Sequence, residues 1–155
     1  MSMLEVRDLC VSYGAIKALK GISFDVDKGE VISLIGSNGA GKTTTLHSVS
    51  NLIHKVSGTI KFEGEDITNL SPDKIVRRGL IQVPEGRRVF ANMSVRENLE
   101  MGAYTRKDKD GIRSDMEWCF ELFPRLKERI NQLSGTLSGG FEKQFGKASP
   151  FRRTC

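Results

Sequence analysis

Hydrophobic and polar residues alternate along the first part of the chain, up to residue 28. The apolar members lie two positions apart with polar residues between them, at Leu4, Val6, Ile22, Phe24 and Val26. This period predicts half-buried β-strands. Residues 58–64 repeat the alternation between two glycines. We therefore predict a small antiparallel sheet that packs beside the main core.

A different pattern follows at residues 31–35, where Val-Ile-Ser-Leu-Ile is almost continuously apolar. Such a run predicts a strand that is buried on both faces of a parallel sheet. Residues 80–83 predict a further strand. Leu46, Val49 and Ile53 fall at i, i+3 and i+7, one face of a helix. A strand followed by a helix indicates an α/β fold.

Three further helices are predicted from residue 71 onward. Ser71, Pro72 and Gly79 are start and stop signals for one helix. Residues 94–97, Ser-Val-Arg-Glu, form a capping box that begins another, through about residue 101. A third helix presents one apolar face, expected to be ordinary core, and stops or kinks at Pro124; the face consists of Met116, Cys119, Phe120 and Phe123.

Between the apolar run and the first helix, residues 36–43 read G-S-N-G-A-G-K-T, a phosphate-binding loop in the context that this motif requires. We call these residues the glycine loop. Its glycines let successive backbone N–H groups converge on a polyphosphate, and the helix N-terminus adds a positive dipole end. A chance glycine-rich turn is the alternative. The expected nucleotide contacts are Gly36, Ser37, Asn38, Gly39, Ala40, Gly41, Lys42, Thr43 and Thr44.

The side chains of the loop have distinct expected roles. Lys42 would reach the β- and γ-phosphates, and the Thr43 hydroxyl would ligate Mg²⁺. Thr44 is the expected α-phosphate contact. The predicted ligands are a nucleoside triphosphate and Mg²⁺.

Composition narrows the function classes. At 155 residues the chain has room for one domain. The net charge is +5, of which +3 lies after residue 140, so nucleic-acid binding is not expected. Three widely spaced cysteines and two histidines predict neither disulfides nor a metal site. No signal peptide or run of about 20 apolar residues is evident. We therefore expect a cytoplasmic protein that a partner holds at any membrane where it works.

A second motif, Leu137-Ser138-Gly139-Gly140, follows the glycine loop and a helical insert. In this order the two motifs resemble the nucleotide-binding domains of ABC transporters. The resemblance implies a P-loop NTPase of ABC type, with an N-terminal antiparallel β subdomain and a helical subdomain at about residues 94–135. It also implies a head-to-tail dimer, in which Ser138, Gly139 and Gly140 close on the γ-phosphate held by the partner's loop.

Two further positions match this family. Tyr13 occupies the place of the aromatic residue that stacks on adenine, which favours ATP; a half-covered tyrosine at a strand end is the alternative. Residues 83–90 stand where the family has a loop that senses Mg²⁺ and nucleotide. Alignment on residues 94–98 places Glu85, not Gln82, at the sensing position. A carboxylate there can face the metal or a water.

The V-P-E-G-R-R-V-F run at 83–90 and residues 97–99 and 121–126 are similar to the F-type ATP-binding subunits of bacterial branched-chain amino acid importers. The implied partners are a second ATPase subunit and integral membrane permease subunits at the inner membrane, with a periplasmic binding protein only indirectly involved. A soluble ABC-type ATPase that acts on nucleic acid or ribosomes, and a non-catalytic ATP-binding fragment, are the alternatives.

The resemblance covers about residues 4–140, and we interpret residues 1–140 as a partial nucleotide-binding domain. Residues 141–155 form an atypical tail, for which disorder is one expectation, and Gly146 and Pro150 disfavour a long helix there. The family's Asp-Glu strand and switch histidine have no match, which predicts poor ATP hydrolysis, an incomplete core sheet and an open apolar edge. A frameshift, a premature end or a gene fragment is the expected origin of the tail.

Overall fold

The computed structural model describes residues 2–83 and 89–137. The chain divides into two compact units, Met1–Gln82 and Val83–Cys155. Glu85, Ser138, Gly139, Gly140 and the tail 141–155 lie outside the described residues. No helix among those described is long and apolar enough to cross a membrane.

The first unit is built on an antiparallel sheet, as the alternating pattern predicts. Its strands are β1 Ser2–Tyr13, β2 Ile16–Asp27, β3 Ser57–Phe62 and β4 Glu65–Asp66, in the order β2-β1-β3-β4. All three pairings are antiparallel. β1 therefore lies between β2 and β3 and supplies much of the core of this unit.

An irregularity in β1 changes which of its side chains are buried. Val6 and Leu9 are both fully buried although they are three positions apart. The register with β2 shifts between them, and Asp8 has a left-handed backbone, with φ 47°. The backbone N–H of Asp8 donates to Ser23 Oγ at 2.8 Å. This bulge turns the second half of the strand so that both halves face the same core.

Two helices complete the first unit, α1 Lys42–Val49 and α2 Pro72–Arg78. α2 begins after Ser71 and ends at Gly79, which has φ 102°, in agreement with the start and stop signals. The Ser71 side chain, however, makes no capping bond to the helix backbone. It bonds the side chain of Asp73 instead, and this is the main cause that lowers the pKa of Asp73.

The predicted buried strands at 31–35 and 80–83 are corrected by the structure. Neither segment is a strand, and Val31 and Ile35 are 92% and 93% exposed. A parallel strand buried on both faces needs hydrogen-bonded neighbours at both edges. Within the described residues no strand pairs with either segment. The incomplete core sheet agrees with the expectation, whereas the strand assignments themselves were wrong.

The apolar face predicted for α1 is also corrected. Leu46 is 48% exposed, and Ile53 lies beyond the end of the helix, although it packs partly against the core. The buried residues of α1 are Thr45, Ser48 and Val49. The hydroxyls of Thr45 and Ser48 donate to the carbonyls of Gly41 at 2.9 Å and Thr44 at 2.7 Å. Because these bonds satisfy the hydroxyls, the helix can bury a polar face.

The second unit is helical, with α3 Val95–Gly102, α4 Lys109–Leu122, α5 Pro124–Glu128 and a short 3-10 turn at Ser134–Thr136. The capping box is confirmed: Glu97 N–H donates to Ser94 Oγ at 3.2 Å, and Ser94 N–H donates to Glu97 Oε2 at 2.7 Å. Pro124 separates α4 from α5. The predicted face of α4 lies in or against this unit's core, which is made of Val95, Leu99, Ala103, Cys119, Leu126 and Leu137.

A charged cluster ties the loop before α4 to the helix itself. Arg106 pairs with Asp115 and, through its Nε at 2.9 Å, with Asp108. The Arg106 guanidinium lowers the pKa of Asp108 to about 2. Burial, and to a lesser degree the charge of Asp115, raises the pKa of the Cys119 thiol. Cys119 is therefore an inert core thiol.

Candidate nucleotide-binding site

The path of the glycine loop depends on residues with left-handed backbones. Gly39 and Gly41 have φ 85° and 86°, values that residues with a Cβ adopt only at a cost. Gly41 also packs closely against β2: a Cβ added there would lie 2.6 Å from Leu19 Cδ2 and 3.1 Å from the Ala18 carbonyl oxygen. The end of the loop is therefore held against the sheet of the first unit.

Lys42 lies over the loop that precedes it. Its Nζ donates to the carbonyl oxygens of Gly36 at 2.6 Å and Ser37 at 2.8 Å. The loop turns tightly beneath it, with a hydrogen bond of 3.1 Å from Ala40 N–H to the Ser37 carbonyl. A Cβ on Gly36 would lie 2.8 Å from Ala40 Cβ. The ammonium group is thus placed on the loop that the sequence assigns to phosphate binding.

The N-terminus of α1 differs from those of the other long helices. Its N-cap, Gly41, makes no side-chain cap, and its first turn contains no acidic residue. By contrast, α3 and α4 each carry an acidic residue there. Among the described residues, no acceptor bonds the backbone N–H groups of residues 42–44. An uncompensated helix N-terminus of this kind suits an anion.

The two threonines that follow Lys42 are accessible to different extents. Thr43 is exposed and Thr44 is half-buried. Ser37, Asn38, Gly39 and Ala40 are exposed as well. The loop is therefore accessible from residue 36 to residue 40 and again at Thr43.

Tyr13 lies in the same unit, at the end of β1. Its side chain is 51% exposed, and it pairs with Ile16 at the tip of the β1–β2 hairpin. Two positions earlier, Val11 pairs with Leu19, the residue against which Gly41 packs. At about 3.3 Å per residue, Tyr13 is roughly 7 Å along the strand from that point. An aromatic ring is thus available near the glycine loop.

Family membership follows from the whole sequence. Residues 19–146 match the family model described as ABC transporter. The chain belongs to the ABC transporter family. The match spans the glycine loop, the helical unit and Leu137–Gly140, so the resemblance argued from these motifs is confirmed.

The similar sequences of this ABC transporter family include ATP-binding proteins of amino acid transport. A high-affinity branched-chain amino acid transport ATP-binding protein, BraG of Pseudomonas aeruginosa, is 46% identical over 138 residues, which are 89% of this chain and 59% of that protein. A probable branched-chain amino acid transport ATP-binding protein, LivF of Archaeoglobus fulgidus, is 32% identical over 97% of this chain and 64% of its own length. The LivF-like assignment agrees with both, and the chain spans less than two thirds of each.

Solved structures show the same fold. A nucleotide-free ATP-binding cassette from an ABC transporter is 27% identical with a TM-score of 0.82, over 97% of this chain and 64% of that chain. An ATP-binding cassette in its ADP conformation gives the same identity, TM-score and coverage. The α/β fold of ABC ATPase type is confirmed.

Magnesium is a cofactor that this family implies, and the donor chemistry of the loop fits it. Mg²⁺ keeps several waters and binds through one or two protein oxygens together with phosphate oxygens. The exposed Thr43 hydroxyl is an oxygen of this kind. Among the described residues, no group of three or more His, Cys, Asp or Glu side chains could hold a metal without phosphates. Glu85, the second predicted metal contact, stays a prediction.

The structure adds Asn98, a residue whose role the sequence patterns did not predict. It is 5% exposed, within α3, although asparagine is a poor helix former. The one local signal was this poor propensity at a position that faces the core. Its hydrogen bonds connect Phe90 with Ser134. In the sequence these two residues lie close to Glu85 and to residues 138–140 of the predicted site.

Proposed function

We propose that the chain is the ATP-binding subunit that energises import of branched-chain amino acids across a membrane. The observation that supports this most directly is the Lys42 ammonium lying over the glycine loop beside a helix N-terminus without an acidic residue. Both features favour a polyphosphate. The amino acid class rests on the printed functions of the similar proteins.

ATP binds with its phosphates on residues 36–44 and its adenine on Tyr13. Stacking is supported by the exposed ring and by its short separation along β1 from the place where Gly41 packs. The Thr43 hydroxyl would hold Mg²⁺, and the bound metal would neutralise charge on the phosphates. Glu85 senses the metal, as the family resemblance implies.

The subunit works as a pair, with permease subunits in the inner membrane and itself on the cytoplasmic side. Ser138, Gly139 and Gly140 contact the nucleotide held by the partner. A periplasmic binding protein delivers the substrate to the permease without contacting this subunit. These assignments extend the family resemblance to residues outside the described part of the chain.

A polypeptide of these 155 residues alone binds ATP and hydrolyses it poorly. Phosphoryl transfer to water needs a carboxylate that helps to hold Mg²⁺ and a group that orients the water. No apolar run in the sequence ends in Asp-Glu. A longer protein that contains these 155 residues can supply both groups.

Replacement of Lys42 by alanine tests the binding site. Loss of a charged hydrogen-bond donor to phosphate costs about 1.5–3 kcal/mol, so the affinity for a fluorescent ATP analogue should fall by about ten- to hundredfold. Lys28→Ala, which removes an exposed lysine from the turn after β2, is the matched control and should bind like the wild type. Unchanged affinity in Lys42→Ala, with both variants folded by circular dichroism, would overturn the assignment.

A further inference from the structure

We propose that Asn98 is a positioning residue that holds residues 134–137, which lead into the Leu137–Gly140 motif, against residues 89–93, which follow residues 84–88. The inference rests on the proposed function, in which both stretches act on nucleotide. It concerns the second unit alone.

The Asn98 side chain hydrogen-bonds to both segments. Its Oδ1 accepts from Phe90 N–H at 2.8 Å, and its Nδ2 lies 3.0 Å from the Phe90 carbonyl oxygen. The same Nδ2 lies 3.0 Å from Ser134 Oγ. Phe90 follows Arg88 by two positions, and Ser134 precedes Ser138 by four. The buried Asn98 amide therefore links the segment that follows residues 84–88 to the segment that precedes residue 138.

The backbones of the two segments are also paired. Ser134 N–H donates to the Met93 carbonyl at 2.9 Å, and Gly135 N–H donates to the Ala91 carbonyl at 3.0 Å. A Cβ on Gly135 would lie 2.9 Å from Ala91 Cβ. Leu137, directly before Ser138, is 4% exposed in the core of this unit. A displacement of either segment would thus strain its bonds to the other.

The chemistry of the site requires an amide at position 98. Nδ2 faces the carbonyl oxygens of Phe90, Met93 and Ser94 at 3.0, 3.3 and 3.0 Å. Nδ2 has two N–H groups, which these carbonyl oxygens and Ser134 Oγ share as acceptors, whereas Oδ1 accepts from Phe90 N–H. Because Ser134 is fully buried, the Asn98 contact to its hydroxyl has no competition from bulk water. The amide therefore holds a single orientation between the segments.

Ser134→Ala in the full 155-residue chain is the decisive change, because it removes only the hydroxyl at one end of the link. Hydrogen exchange measured by mass spectrometry should accelerate by about fivefold in peptides that cover residues 134–140. It should accelerate by a similar factor in peptides that cover residues 84–93, which Ser134→Ala leaves chemically unchanged. Acceleration confined to residues 130–140 would overturn the proposal.

Thr136→Ala is the matched control. Its hydroxyl donates to the Leu133 carbonyl at 2.7 Å and accepts from Gln132 at 2.8 Å, and within the described part of the chain no hydrogen bond joins it to Asn98. Its effect should remain within residues 130–140. Peptides from the first-unit sheet, such as residues 2–13, should exchange like the wild type in both variants, since a general loss of stability would accelerate them too.

A nucleotide readout separates this proposal from the function on which it rests. Ser134→Ala should bind the fluorescent ATP analogue within twofold of the wild type and should weaken ATP-dependent self-association, measured by sedimentation, by about fivefold. Unchanged self-association would count against a positioning role. If the wild type bound no nucleotide, the proposed function would fail, and the exchange experiment would still decide whether Asn98 links the segments.

Discussion

Alanine substitutions at Gly39 and Gly41 form a matched pair that tests how the glycine loop is held. The two residues have nearly the same φ, 85° and 86°. A Cβ on Gly39 would have nothing within 4 Å, whereas one on Gly41 would meet Leu19 Cδ2 at 2.6 Å and the Ala18 carbonyl oxygen at 3.1 Å. The pair therefore shares backbone strain and differs in packing.

The difference in free energy of unfolding follows from these contacts. A left-handed residue with a Cβ costs about 1–2 kcal/mol, and the reduced entropy of the unfolded chain returns roughly 0.4–1 kcal/mol. Both effects apply at both positions. Overpacking adds about 1–3 kcal/mol at Gly41 alone, because Leu19 is 4% exposed and has little room to move. Gly41→Ala should be the less stable variant by that amount.

Thermal unfolding followed by far-ultraviolet circular dichroism measures this difference. For a chain of about this size, each kcal/mol lowers Tm by roughly 2–4 °C, so Gly41→Ala should unfold well below Gly39→Ala. A titration with the fluorescent ATP analogue should show the weaker binding in Gly41→Ala, since the clash displaces the loop from β2. Equal Tm values for the two variants would refute the packing argument.

Three further outcomes are expected. If the ring of Tyr13 stacks on adenine, Tyr13→Ala should weaken ATP binding by about 1–3 kcal/mol and Tyr13→Phe should not. Equal affinities of Tyr13→Ala and the wild type in a fluorescence titration would show that Tyr13 is not part of the site. The pKa of Asp108 is lowered from 3.8 to about 2 by Arg106, so the ion pair stabilises the fold above pH 4 and is lost as the pH falls through 2. The urea midpoint of Asp108→Asn should thus lie below that of the wild type at pH 6 and approach it near pH 2. The same difference in urea midpoint at both pH values would contradict this expectation. Finally, the 155-residue polypeptide should release little phosphate from saturating MgATP, and steady turnover abolished by Lys42→Ala would disprove the predicted deficiency.

Local signals predicted the elements whose determinants lie close together in the sequence. The capping box at Ser94 and Glu97, the left-handed Gly79 that ends α2 and the break at Pro124 all occur where the residues indicate. Each depends on contacts within about four residues. The antiparallel sheet was equally predictable, because hydrophobic and polar residues alternate along its strands.

Elements that depend on distant partners could not be predicted in the same way. The apolar run at 31–35 has the composition of a buried strand, yet strand formation needs hydrogen bonds from neighbours, and no described strand supplies them. The bulge at Asp8 was not predicted from the sequence either. Its left-handed backbone depends on the pairing with β2 and the bond to Ser23, which the alternation of single residues does not encode.

The failure at α1 has a different cause, which bears on the site. Hydrophobic periodicity placed Leu46 on the buried face, whereas the structure buries Thr45 and Ser48, whose hydroxyls bond carbonyls one turn earlier. One of those carbonyls belongs to Gly41, so the polar face stabilises the junction between the loop and the helix. A sequence rule based on apolar packing fails where local geometry is fixed by polar contacts, and such places are expected at functional sites. The polar contact of Thr45 that made the α1 prediction wrong thus lies at the end of the glycine loop, at Gly41.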